Sequence, residues 1–352
     1  MHIYCIYQPV RNVEKNGRLS SDYSRSIMDK KVSVIIPFFK VASYIERCST
    51  ALMEQTLQDI EFLFVDDASP DESRQILEEV LARYPQRNAR IITHPVNQGL
   101  PAARNSGLAE AKGEYIYHCD SDDWPEVTML EKMVAAAEEN DADIVYCDFY
   151  LSFETGERYM KNPAFTTAED LLKKGFLAGS TKYNVWNKLI RKDLYDRTGY
   201  RFPAGHGMGE DMTVIMLTTE ANRVAYVPEA LYHYVKLNMN AFSNTFSQRH
   251  LDDIQFNANR TLACLKEKEI PEQDIALFKL NIKLPFLLSG DKGQYKLWKQ
   301  WYPEANPYAM ANPNLPFRTR LIQWLAGKNQ FWAVSLYGWL VNQVYYRIRY
   351  RV

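Results

Sequence analysis

The chain has little that would anchor it in a membrane, staple it together or keep it unfolded. Its apolar tail stretch, Phe331–Val341, is well short of the ~20 residues a membrane-spanning helix needs. The first 27 residues carry Arg11, Lys15, Arg18 and Arg25 but no apolar core of the kind a secretory signal requires. Residues 1–30 are therefore expected to form an unstructured leader, with Met28 an alternative start just ahead of the first strong strand. Cysteine is sparse and odd in number: Cys5, Cys48, Cys119, Cys147 and Cys264 fit no zinc or disulfide framework, so reduced buried thiols and a cytoplasmic compartment are expected. A net charge of −1 excludes a dedicated nucleic-acid binder on global grounds. No internal repeat or long low-complexity tract interrupts the chain, and 46% apolar with 24% charged residues is ordinary for a globular protein. At 352 residues there is ample core for one large domain or two modest ones.

What is present is a regular alternation of strand and helix patterns. Val32–Phe39 is a continuous apolar, β-branched run, as expected of a strand buried on both faces of a parallel sheet. A helix follows from Ala42 to Gln55, with Ile45, Cys48 and Leu52 on one face. A second strand, Glu61–Val65, ends in Asp66-Asp67. Ser69-Pro70-Asp71-Glu72 then reads as a capping box with proline at the first helical position. Further strands are expected at Arg90–His94, Glu114–Cys119 and Asp143–Phe149, with a small-residue helix over Leu100–Ala111 ended by Gly113. This order predicts an α/β domain with a mainly parallel sheet. After about residue 150 helix and loop patterns take over. A helical region follows about residue 250, and Pro303, Pro307, Pro313 and Pro316 punctuate a linker.

Three clusters could carry chemistry. Asp120-Ser121-Asp122-Asp123-Trp124 places three carboxylates within four residues at the C-terminal end of a predicted strand, the edge where open α/β sheets bind ligands. Carboxylates so close raise one another's pKa unless a cation neutralises them. Oxygen ligands favour Mg²⁺ or Mn²⁺, which bridges well to a diphosphate. The same cluster also reads as a solvated acidic turn. Asp66-Asp67 could accept hydrogen bonds from a base or ribose, or could serve the capping turn of the next helix. In the third cluster Gly99 permits a tight turn and Arg104 could reach a phosphate in fork geometry, or could be a surface arginine on a packing helix.

In order, VSVIIPFF, VDDASPDES, NQGLPAARNSGLAEAKGEY and CDSDDW resemble the motifs of family-two inverting glycosyltransferases with the GT-A, or nucleotide-diphospho-sugar transferase, fold. The resemblance is continuous over about residues 31–124 and looser to about 245. It implies a mixed, mainly parallel sheet flanked by helices, with a nucleotide-binding part at 31–124 and an acceptor-side part at 150–250 inside a domain at 31–250. A helical extension and Pro-rich linker at 251–316 and an amphipathic basic tail at 317–352 would follow. It implies roles as well. Pro37 and Phe39 would lie by the nucleotide base, although Phe38, Phe39 and Lys40 stand where the family usually has an aromatic and an asparagine. Asp67, with Asp66 beside it, would contact uracil, and Arg104 would lie near the phosphates. Asp120 and Asp122, flanking Ser121, would form the DxD pair with Asp123 extending it, and these three would hold the metal, Mn²⁺ or Mg²⁺.

Two later segments extend the resemblance. Trp186 and Lys188, in Asn184–Ile190, resemble the W-x-K-L segment that enters the acceptor region. Gly209-Glu210-Asp211 resembles the acidic pair that supplies the catalytic base, with Asp211 the expected base and Glu210 its neighbour. Leu231–Lys236 with Ser243 looks like the family's flexible flap near the diphosphate. There Lys236 replaces an arginine, and His233 could touch metal or phosphate or be a hydrogen-bonded structural histidine. The implied reaction moves a sugar from a nucleotide diphosphate donor, most simply UDP, to a hydroxyl of a saccharide or lipid-linked saccharide in a bacterial surface-polysaccharide pathway. A non-catalytic sugar-binding or scaffold protein is the alternative. A nucleotidyltransferase is the other, but Pro37-Phe38-Phe39-Lys40 supplies no glycine-rich phosphate loop.

From Ala305 to Val352 there is no acidic residue, and Arg318, Arg320, Lys328, Arg347, Arg349 and Arg351 alternate with aromatic and aliphatic side chains. Tryptophan and tyrosine with basic flanks suit the headgroup layer. The tail is therefore expected to dock on the cytoplasmic face of the inner membrane. The plainer expectation is a helix packed on the catalytic domain or on a homodimer partner.

Overall fold

The computed structural model describes residues 30–236, 247–289 and 292–340. The leader, Cys5, Ser243 and the last three arginines lie outside them. One nine-stranded sheet organises the chain in the order β3-β2-β1-β4-β8-β6-β9-β5, with β7 paired to β6. The strands are β1 (Lys30–Phe38), β2 (Ile60–Asp66), β3 (Asn88–Thr93), β4 (Gly113–His118), β5 (Trp124–Pro125), β6 (Ile144–Phe153), β7 (Gly156–Met160), β8 (Lys188–Arg191) and β9 (Val224–Val235).

The half containing β3, β2, β1 and β4 is parallel, as the continuous apolar runs require. The other half is mixed. The four-residue β8 runs antiparallel to both β4 and β6, whereas β6 and β9 are parallel. The long β9 stands where helix and loop were expected.

Alternate residues of β1 feed opposite layers. Val32, Val34 and Ile36 pack with α1 (Ile45–Met53), α2 (Ser73–Arg83) and, further along the sheet, α4 (Met129–Asn140). Ile35 faces the other layer, which holds α3 (Leu100–Glu110), α5 (Lys192–Thr198), α6 (Thr213–Thr218) and part of α7 (Gln248–Glu267). At Gly107 of α3 a Cβ would collide with Ile35, so glycine lets this helix lie directly on β1.

The expected capping box at Ser69 does not form. Ser69 Oγ donates instead to Asp71 at 2.7 Å and accepts from the Lys40 backbone N–H at 2.8 Å. It thereby ties two loops together, and α2 starts only at Ser73.

A third core joins α8 (Glu272–Lys283) to α9 (Phe317–Gly327) and α10 (Phe331–Leu340). The proline-punctuated stretch is not a free linker. Pro303–Met310 is a 3-10 helix that buries Ala305 and Ala309 in this core. The extension is also continuous with the sheet domain, because Ala258, Leu262 and Leu265 of α7 pack with Ile215 and Leu217. Cys48, Cys119, Cys147 and Cys264 are buried free thiols, as expected.

Candidate active site

The C-terminal ends of β1, β2 and β4 come level along one edge of the sheet. Phe38 pairs in register with Asp66 and Ile35 with His118. Beyond the strands the Asp67 N–H donates to the Phe38 carbonyl at 3.1 Å, and the Cys119 N–H to the Ile35 carbonyl at 3.0 Å. Pro37 is buried in the sheet, whereas the Phe39 ring emerges into solvent at the strand end. Asp67 and the Asp120–Asp123 run therefore share an edge, as the motif order implies.

Asp67 is buried and organises the turn before α3. Its Oδ1 accepts from the Gln98 N–H and its Oδ2 from the Gly99 N–H, both at 2.8 Å. His94 Nδ1 lies 2.7 Å from Oδ1. Gly99 has φ of +88°, a conformation that favours glycine. Asp66 Oδ1 accepts from the Ser69 N–H at 2.9 Å, and Arg74 lies 3.5 Å from Oδ2.

Arg104, one turn into α3, has its side chain 1% exposed and is the hub of the site. Nη1 donates to Glu210 Oε1 at 2.9 Å and to Asp211 Oδ1 at 2.8 Å, and Nη2 donates to Asp120 Oδ1 at 2.9 Å. One guanidinium thus joins the two acidic motifs that lie 90 residues apart in the chain. It is not the solvent-exposed arginine of the simpler expectation, and both terminal nitrogens are already committed to carboxylates.

Burial pulls the Arg104 guanidinium down, but Asp211, Asp120 and Glu210 more than offset this and hold it charged. Burial pushes both Glu210 and Asp211 up. For Glu210 the next influence is repulsion from Asp211, and its carboxyl reaches about 8. For Asp211 the next influence is attraction to Arg104. Glu210, the more deeply buried of the two side chains, is the carboxyl pushed up to the larger extent. Behind them His118 is kept neutral by burial and then by Arg104.

The three aspartates of the acidic cluster are not equivalent. Asp123 faces inward: Oδ1 accepts from the Val235 N–H at 2.7 Å and Oδ2 from the Tyr232 hydroxyl at 2.8 Å. Burial, and then Asp122 and Asp120, push its carboxyl well up. With both oxygens committed, Asp123 ties β9 to the acidic loop and is not open as the metal ligand it was expected to be. Asp120 gives one oxygen to Arg104, and Ser121 is buried beneath the turn.

Asp122 lines a cavity of about 260 Å³ together with Ser43, Tyr44, Arg47, Trp124 and Glu157. Among the described residues no three His, Cys, Asp or Glu side chains surround a common point that would hold a metal. Mg²⁺ typically takes one or two carboxylates, the rest of its shell being phosphate and water. Asp122, with Asp120 beside it, fits that kind of site.

Three further candidates occupy structural positions. Trp186 is 4% exposed and stacks on Tyr232 at 4.6 Å and Tyr234 at 5.3 Å. It supports the tyrosine that holds Asp123 and is not open to a sugar. Lys188 is buried, with Nζ donating to the Lys182 and Asn184 carbonyls and to Asn187 Oδ1 at 2.7–2.9 Å. Burial pushes its ammonium down to about 7, with Asp211 and Cys147 opposing. Its influence on the acidic site is electrostatic. His233 has Nε2 2.8 Å from Glu126 and Nδ1 2.7 Å from Glu157, so both ring nitrogens are taken and the structural role prevails over metal or phosphate contact. Lys236 is exposed at the end of β9, with Nζ 3.2 Å from the Tyr234 hydroxyl.

Sequence reasoning missed the groups that aim the site. Asn257 of α7 donates to the His206 and Met208 carbonyls at 3.2 and 3.1 Å, and Asp253 accepts from the Met208 N–H at 3.4 Å. These bonds pin the loop before Glu210-Asp211, where Gly209 has φ of +86°. A buried Asn and Asp in one helix four residues apart was the available signal. In the sequence Tyr232 stands only as one residue of the flap motif, and nothing marks Arg47.

Comparison with known proteins places this geometry. The model of glycosyl transferase family 2 matches residues 33–212, more than half of the chain. The chain is 35% identical over 273 residues to the uncharacterized glycosyltransferase EpsJ of Bacillus subtilis, covering 74% of this chain and 77% of that protein. It is 30% identical over 300 residues to the cholesterol galactosyltransferase of Borreliella burgdorferi, covering 77% and 80%. The fold matches residues 1–349 of S. aureus TarS, solved in complex with UDP-GlcNAc, with a TM-score of 0.63 at 20% identity over 89% of this chain and 92% of that one. The chain therefore belongs to glycosyl transferase family 2 and is a glycosyltransferase of the GT-A fold.

Proposed function

We propose that the protein transfers a glycosyl group, with inversion, from a UDP-sugar to a hydroxyl of a saccharide or lipid-linked saccharide, the setting being bacterial surface-polysaccharide synthesis. The observation that carries this reading is the Arg104 clamp, which draws Asp120 of the DxD pair against Glu210 and Asp211. It brings the donor-side and acceptor-side carboxylates to one place. The acceptor oxygen attacks the anomeric carbon as Asp211 takes its proton, and the bond from that carbon to the diphosphate oxygen breaks on the opposite face. Glu210 keeps its own proton and Arg104 fixes the orientation of both. Phe39, Asp67 and the Asn97–Gly99 turn would flank the base. Asp122, with Asp120 beside it, would hold Mn²⁺ or Mg²⁺, which when bound neutralises charge on the leaving diphosphate.

A panel of nucleotide sugars with Mn²⁺ tests the reading through donor hydrolysis. Asp211→Asn is expected to lower turnover about 10²–10⁴-fold while leaving UDP affinity within a factor of about two. Undiminished turnover would remove Asp211 as the base.

Docking on a membrane is part of the same proposal. Among the described residues no helix is long and apolar enough to cross a membrane. The last two helices bury Ile322, Ala326 and Val334 against the extension, and leave Phe317, Trp324, Trp332 and Trp339 exposed beside Arg318 and Lys328. Exposed aromatics in a stretch of chain with basic and no acidic residues suit an anionic headgroup layer.

A further inference from the structure

With Arg104 committed to three carboxylates, the phosphates of a bound donor need another cation. The leaving diphosphate carries more negative charge than one divalent ion cancels, and a preorganised donor at that point stabilises it further. Arg47 of α1 lies on the wall of the cavity that Asp122 lines. Its Cζ sits 2.9 Å from the centre of the Trp124 ring. Trp124 in turn stacks on His233 at 4.7 Å with 13° between planes, and His233 stacks on Tyr150 at 4.9 Å. Glu126 and Glu157 grip the two nitrogens of His233, so the column under Arg47 is fixed at its middle.

A guanidinium seated over an indole ring keeps its charge and its planar fork of N–H donors, the geometry that matches phosphate. Among the described residues Arg47 donates no hydrogen bond, and Glu157 is the charged group that acts on it. Asp122 and Glu157 make the rest of the lining acidic, so a bare anion is repelled. An anion that arrives with a divalent ion is accepted.

We propose that Arg47, held by the Trp124–His233–Tyr150 stack, binds the β-phosphate of the nucleoside diphosphate in the cavity beside Asp122. This assignment rests on the UDP-sugar reading, and the following titration separates the two. UDP and UMP are titrated calorimetrically, with Mn²⁺ present, into the full chain and into its Arg47→Ala and Arg47→Lys variants. The native protein is expected to prefer UDP. Arg47→Ala is expected to lose about tenfold or more in UDP affinity, the size of one charge-assisted hydrogen bond, with UMP affinity unchanged. Arg47→Lys is expected to fall between, since it keeps the charge without the fork. Equal UDP affinity in native and Arg47→Ala protein would overturn the assignment, and so would equal losses for UDP and UMP. Native protein that binds neither nucleotide would overturn the UDP reading and the assignment with it.

Discussion

Replacing Arg104 by methionine tests the centre of the structure. The substitution roughly conserves volume and removes the charge that three carboxylates share. Breaking a buried ion pair by deleting one partner costs about 3–5 kcal/mol, because the remaining charge stays buried and uncompensated. Here the side chains of Asp120 and Asp211 are 26% and 23% exposed, so water screens part of the loss. The lower end applies: about 3 kcal/mol, or roughly 6–12 °C in the melting temperature of a domain of this size.

The pH dependence is the sharper test. Glu210 and Asp211 already have folded pKa values above their unfolded ones. Such groups contribute stability below the unfolded pKa and lose it as pH rises through the folded pKa. Without Arg104 those folded values rise further, so more stability is lost on the alkaline side. Urea unfolding of native and Arg104→Met protein should therefore show a gap that is already present near ~pH 6 and widens toward ~pH 9, above the value of about 8 at which native Glu210 titrates. A gap that stays constant across that range would refute the view that Arg104 acts by charge compensation.

Two further predictions can be checked directly. Glu210→Gln should leave a functional enzyme whose acid limb of kcat/KM is unmoved, because Glu210, pushed up to about 8, is still uncharged when Asp211 ionises; abolished turnover would make Glu210 the base. Trp332→Ser combined with Trp339→Ser, both on exposed positions, should release the protein from anionic liposomes in a sedimentation assay without changing donor hydrolysis; unchanged sedimentation would reject membrane docking by this face.

The parallel half of the sheet was legible because β1, β2 and β4 are buried on both faces and must be continuously apolar. The acidic edge was legible for a topological reason, since every strand of that half ends at the same side. What sequence could not reveal is where long side chains point. Arg104 reads equally well as a phosphate ligand, a surface group or a clamp, and only the approach of α3 to β1 at Gly107 settles it. Trp186 and Lys188 belong to a motif, yet their side chains serve the interior. β8 escaped notice because four residues carry no usable period, and β9 because Pro228 and Glu229 interrupt its alternation. The capping box failed because Ser69 was drawn away by the Lys40 loop, a partner 29 residues distant.

The grip of α7 on the base loop bears on how such enzymes can be recombined. Besides Asn257 and Asp253, Arg260 donates to Thr213 Oγ1 and to the Arg201 carbonyl, so this helix touches the chain on both sides of Glu210-Asp211. A chimera that grafts a foreign C-terminal region at the apparent domain boundary near residue 250 would discard those anchors and leave the Glu210-Asp211 loop without its mould. Crossovers placed after Glu267 keep the helix with the loop it holds, and the exchanged region then has to reproduce only the seam of α8, where Ile275 and Phe278 pack with Leu171 and Phe176 and Asn281 donates to the Leu177 carbonyl.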